Sequence, residues 1–170
     1  PEVVPAEQEE NMMSTYKPAA ITLALLGGAC LAFTALAEEA GFIAATAPDL
    51  QWAAAPSVGP GAMIAVIEGD LKAAQPFTFR LKVPANSTIG VHTHPVTERV
   101  TVISGTFYFG LGDKSDPAMT KAYQPGDTLI IPAGLPMFAA TREQEAIVQL
   151  HGVGPWGIHY ANPADDPRNQ

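Results

Sequence analysis

The sequence predicts an all-β domain, a small antiparallel barrel or double-sheet jelly roll, preceded by a signal peptide. Three observations predict it. Short apolar runs alternate with a period of two, FTFRLKV at 77–83 being the clearest. The 15 glycines and 16 prolines fall between those runs and mark tight turns. From residue 62 onward no stretch carries the 3.6-residue period of an amphipathic helix. Closing such strands on themselves protects the sheet edges and encloses an interior.

Length and composition set the frame. The chain's 170 residues suit one domain, and 47% apolar content suits a packed core. Only 15% of residues are charged, which excludes a disordered solvating chain. The formal charge is −8, with no Lys/Arg cluster, so nucleic acid is not an expected partner. The single cysteine, Cys30, forms neither an internal disulfide nor a thiolate metal cluster.

Residues 1–11, PEVVPAEQEEN, stand ahead of a start at Met12 or Met13 and read as an upstream-start artefact. Residues 12–37 have the layout of a secretory signal peptide. Lys17 supplies the cation, an apolar stretch runs from Ala19 to Ala35, and Ala35-Leu36-Ala37 offers a signal peptidase its small residues. The expected cut follows Ala37, leaving a periplasmic or secreted protein with no stable membrane anchor. A membrane-anchoring helix and acylation of Cys30 are the alternatives. The stretch is short and rich in Ala and Gly for a span, and Gly27 stands where acylation wants a leucine. Cleavage removes four of the 17 acids, one of the nine bases and the only cysteine, moving the charge to −5.

Residues 38–61 are Ala/Pro/Gly-rich and read as an N-terminal arm, docked by Trp52. The barrel is expected over 62–160. AMIAVIEG (62–69) is a first run, and FTFRLKV puts Phe77, Phe79, Leu81 and Val83 on one face. IGVHTH (89–94), ERVTVIS (98–104) and TFYFGLG (106–112) follow, then a polar loop at 113–117. KAY (121–123) and TLIIP (128–132) flank a Gln-Pro-Gly-Asp turn; MFAAT (137–141) and AIVQLHGV (146–153) flank Arg142-Glu143-Gln144. WGIHY (156–160) precedes a Pro/Asp-rich tail at 161–170.

His92 and His94 lie two apart on an extended segment, so their side chains share a face. Glu98 opens the next run and shares a face with Val100 and Val102. If that face points inward, a carboxylate meets two imidazoles, a good set for a divalent metal. Lone histidines are more often surface or satisfied core residues, so Glu98 at this offset is what strengthens the reading.

These residues sit in a frame that resembles the cupin superfamily. The family's first motif runs glycine, five residues, His-x-His, three or four residues, Glu, six residues, glycine. Here it reads Asn86, STIGV, His92-Thr-His94, PVT, Glu98, RVTVIS, Gly105. Asn replaces the first glycine and tolerates positive φ better than other side chains. The second motif runs glycine, five residues, Pro-x-Gly, two residues, His, three residues, Asn. Here it reads Gly126, DTLII, Pro132-Ala-Gly134, LP, Met137, FAA, Thr141. The fourth metal ligand of the family thus falls on Met137. The resemblance spans about residues 62–153 and also suggests small exported bacterial cupins.

The resemblance implies a cupin-type jelly-roll β-barrel, or double-stranded β-helix, holding one divalent metal ion (Zn, Cu, Fe or Mn) at His92, His94 and Glu98. Three readings stay open. The metal binds through those three groups with water or substrate beside it; or Met137 or His151 adds a contact, sulfur favouring copper; or the site is degenerate and Met137 fills core. Phe107, Phe109 and Phe138, with Tyr108, are candidate pocket walls. The expected partner is a small organic molecule, processed by dioxygenase-like or isomerase-like chemistry. A non-catalytic ligand- or metal-binding barrel is the alternative, since one fold hosts many activities. A homodimer is implied by the resemblance alone.

Overall fold

The computed structural model describes residues 41–170. The signal peptide expected at 12–37 and the segment 1–11 lie outside the described residues, as do the first residues of the arm. Among the described residues no helix is long and apolar enough to cross a membrane, and the helical pieces are three-residue 3₁₀ turns.

Eleven strands appear among the described residues: β1 (Ala53–Ala54), β2 (Met63–Glu68), β3 (Pro76–Val83), β4 (Thr88–Thr93), β5 (Glu98–Ser104), β6 (Phe107–Leu111), β7 (Lys121–Tyr123), β8 (Thr128–Ile131), β9 (Met137–Ala140), β10 (Ala146–Val153) and β11 (His159–Tyr160). They make a six-stranded sheet, β1-β2-β3-β10-β5-β8, and a five-stranded sheet, β11-β4-β9-β6-β7. Every pairing is antiparallel. The chain passes repeatedly from one sheet to the other, as in a jelly roll. The arm is more ordered than its composition suggests, since it supplies edge strand β1. The Lys82 ammonium lies 4.6 Å over the Trp52 ring and helps seat the arm.

The core follows the alternation. On β3, Phe77, Phe79, Leu81 and Val83 are buried while the residues between them are not. They meet Val100 and Val102 of β5, Val148 and Leu150 of β10, Phe107 and Phe109 of β6, and Met137 and Ala139 of β9. Burying each of the phenylalanines is worth roughly 1.5–3 kcal/mol.

Two backbone features shape β4. Asn86 adopts φ 57°, the left-handed conformation expected at the first motif position. Its turn is tied to the far strand, because Asn86 N–H donates to Arg142 O at 2.6 Å and Ser87 N–H donates to Thr141 Oγ1 at 3.0 Å. The second feature is a bulge. Ile89 pairs with Ala139 and His92 with Met137, so three steps along β4 match two along β9. The extra residue lets Ile89 and His92 face inward together, which strict alternation forbids.

Candidate functional site

The site is built on three elements. The β4 bulge turns His92 inward, the chain just beyond β4 carries His94, and β5 begins with Glu98. All three are buried, Glu98 to within 1% of full burial. With Met137, Phe107 and Phe109 they line one interior cavity of about 40 Å³. That volume holds an ion and a little water. Pockets for organic ligands are ordinarily several hundred Å³.

Backbone acceptors fix the imidazoles. His92 Nδ1 lies 2.7 Å from Gly90 O, and His94 Nδ1 lies 2.6 Å from Gly157 O. A carbonyl oxygen can only accept, so each Nδ1 carries the hydrogen and each Nε2 keeps its lone pair. The rings stand edge to face, 4.9 Å between centroids. His94 Nε2 lies 3.3 Å from Glu98 Oε2. The other carboxylate oxygen, Oε1, accepts from the Trp156 indole N–H.

Burial governs the charges. Desolvation, with a smaller push from His92, takes His94 down to about 4 against the opposing bond to Gly157. Desolvation likewise holds His92 below its ordinary value. Burial raises Glu98 to about 7, the Trp156 bond opposing. The His94–Glu98 contact is therefore a neutral pair near pH 6, with the shared proton on Glu98. Two acceptors facing each other at 3.3 Å need a positive centre between them, and a proton or a metal ion meets that need.

The donor chemistry fits a divalent metal: two tautomer-locked Nε2 atoms and one free carboxylate oxygen, each ring oriented through its other nitrogen. Among the described residues, no three His, Cys, Asp or Glu side chains already stand in a shell that grips an ion. His94 and Glu98 are already in contact, and His92 stands beside His94 with 4.9 Å between ring centroids.

Met137 also faces the cavity, directly across from His92. Two expected contacts do not reach it. His151 belongs to the opposite face of β10: Ala146, Val148 and Leu150 are buried, whereas His151 shares its row with Thr78 and Arg99. Phe138 sits between inward-facing Met137 and Ala139 and so points out of the barrel, its ring lying over Gly110. Of the three phenylalanines expected as pocket walls, only Phe107 and Phe109 line the cavity.

Two participants carry no signal in the sequence. Trp156 binds Glu98 and also stacks on His94, 5.6 Å between ring centroids at 26°. Val58, from the arm, reaches the cavity wall and is buried there. Tyr160 stands beside His92 at 5.7 Å, but its hydroxyl turns away to donate to Ser57 O at 2.9 Å.

Comparison with known proteins agrees with this barrel. No curated protein matches the chain in sequence. Among solved structures, the polyketide cyclase RemF from Streptomyces resistomycificus is similar with a TM-score of 0.63 at 17% identity, covering 74% of this chain and 89% of that one. The DMSP lyase DddQ from Ruegeria pomeroyi DSS-3 is similar with a TM-score of 0.55 at 15% identity, covering 71% and 72%. An RmlC-like cupin from Shewanella frigidimarina gives 0.50 at 13%, covering 71% and 92%. At such identities the likeness is one of fold. Residues 61–155 match the Cupin family profile. The match covers more than half of the sequence and takes in strands β2 to β10, both motif frames and the three buried polar residues, and so the chain belongs to the cupin family.

Proposed function

We propose that the protein holds one divalent metal ion on His92, His94 and Glu98 and acts on a small organic molecule there. One observation carries the reading: His92, His94 and Glu98 are all buried and line one interior cavity, with His94 Nε2 3.3 Å from Glu98 Oε2. The metal would supply Lewis-acid polarisation or a site for O₂. This chain's residues do the rest. The Gly90 and Gly157 carbonyls orient the imidazoles, Trp156 holds one Glu98 oxygen, and Phe107 and Phe109 give the cavity apolar walls. That two similar folds belong to a cyclase and a lyase supports small-molecule chemistry on this barrel.

The size of the cavity favours a second reading, a metal- or ligand-binding barrel without turnover. A space of about 40 Å³ next to Met137 admits no organic substrate unless the wall opens. Chelation separates the two. Turnover on a panel of small carbonyl and carboxylic substrates that is lost on chelation and restored by metal supports the enzyme. Ligand-dependent melting unchanged by chelation supports the binding module.

We further propose that the chain is exported through its 12–37 segment and acquires its metal outside the cytoplasm. There the Irving–Williams order favours zinc or copper. Elemental analysis of native protein purified from the periplasm or medium is expected to find one of these. Stoichiometric iron or manganese would reject it.

A further inference from the structure

The segment after β10 grips two of the three candidate ligands at once. Trp156 donates its indole N–H to Glu98 Oε1, and its ring stacks on the His94 imidazole. The next residue, Gly157, gives its carbonyl to His94 Nδ1 at 2.6 Å. Trp156 is itself held from two sides: its backbone N–H donates to Leu71 O at 2.7 Å, and its ring meets Phe79 edge-on at 5.0 Å. The segment lies 58 residues beyond Glu98 and outside the core of either cupin motif.

The geometry points to Trp156 as the positioning residue of the metal site, an inference that rests on the metal reading above. An unrestrained carboxylate can give a metal one oxygen or two. With Oε1 engaged by the indole, Glu98 offers only Oε2, the oxygen already 3.3 Å from His94 Nε2. The stacked ring limits rotation of His94 about the same point. Trp156 thus sets the carboxylate to one-oxygen coordination and keeps the coordination number low, leaving positions beside the metal for an incoming ligand. A bond from an outer residue to a ligand of this kind is worth about tenfold to a hundredfold in metal affinity.

Cobalt(II) tests this without any substrate, because the strength of its visible bands reports coordination number. Trp156→Phe keeps an aromatic ring at the position and removes the indole N–H. The variant is expected to bind Co²⁺ about tenfold more weakly and to show weaker visible absorption per bound ion, as Glu98 turns both oxygens to the metal. Affinity and spectrum equal to wild type would overturn the assignment, and so would lower affinity with an unchanged spectrum. Should Trp156→Phe not fold, the Trp52→Phe protein serves, since Trp156 is then its single tryptophan. Its emission is expected to be quenched in step with Co²⁺ binding, and unquenched emission in the loaded protein overturns the proposal. Wild-type protein that takes up no Co²⁺ by titration calorimetry removes the metal reading itself. Uptake with an indifferent Trp156→Phe removes the positioning role alone.

Discussion

His92 and Met137 are direct partners across the β4–β9 pair, and both side chains line the cavity. Met137 occupies the second-motif position at which the resemblance places a histidine ligand. Met137→His is therefore expected to add a third imidazole and tighten Zn²⁺ binding by tenfold or more, at an energetic gain of about 1.4 kcal/mol per decade. Calorimetric titration checks it. Unchanged affinity would mean that the side chain at 137 does not approach the ion.

Metal affinity should depend on pH through Glu98. The carboxyl must lose its proton to bind, and in the metal-free protein burial holds it at about 7. The apparent dissociation constant is expected to rise about tenfold for each pH unit below 7 and to level off above it. Titrations at several pH values measure the slope. A flat profile down to pH 5.5 would show that Glu98 is not a ligand.

Stability of the metal-free protein carries the same signature with a definite sign. Glu98 is raised from 4.5 to about 7, so its contribution is full below 4.5 and is lost as pH rises through 7. His94 is lowered from 6.5 to about 4, so its contribution is full above 6.5 and is lost as pH falls through 4. Glu98→Gln removes the first and leaves the second. Between pH 4.5 and 7.5 the chelated wild type is expected to lose a few kcal/mol relative to Glu98→Gln. Denaturant melts across that range decide it, and a constant difference between the two proteins would refute the burial argument.

Backbone geometry yields a fourth expectation. Asn86→Gly should be neutral or slightly stabilising at φ 57°, whereas Asn86→Ala should cost about 1 kcal/mol. Gly105→Ala should cost more than about 2 kcal/mol, because φ is +72° and the new Cβ would collide with Glu145 O. Thermal melts rank the three variants. The reverse order would mean that the turns are not left-handed.

Much of the barrel was legible in the chain because strand alternation is a local signal. Phe77, Phe79, Leu81 and Val83, and Glu98, Val100 and Val102, face inward as their spacing implies. Asn86 takes the φ that its motif position demands. The parity of His151 was also available, since buried Ala146, Val148 and Leu150 set it on the other face. Phe138 was harder. Met137, Phe138 and Ala139 are all apolar and all buried, so no alternation distinguishes the faces. The bulge that turns His92 inward depends on pairing with β9, and the Trp156–Glu98 bond depends on the path of a distant segment. Neither leaves a periodic trace in the residues themselves.

Both histidine tautomers are set by peptide carbonyls, those of residues 90 and 157. Every amino acid brings a carbonyl, so no point substitution at either position can delete the acceptor. The ring orientation is inherited from the course of the main chain. Side chains around the barrel can drift, even at position 137, while each Nδ1 keeps its acceptor and each Nε2 its lone pair. A library randomised at cavity positions other than His92, His94, Glu98 and Trp156 would therefore start from two imidazoles whose tautomers are already fixed.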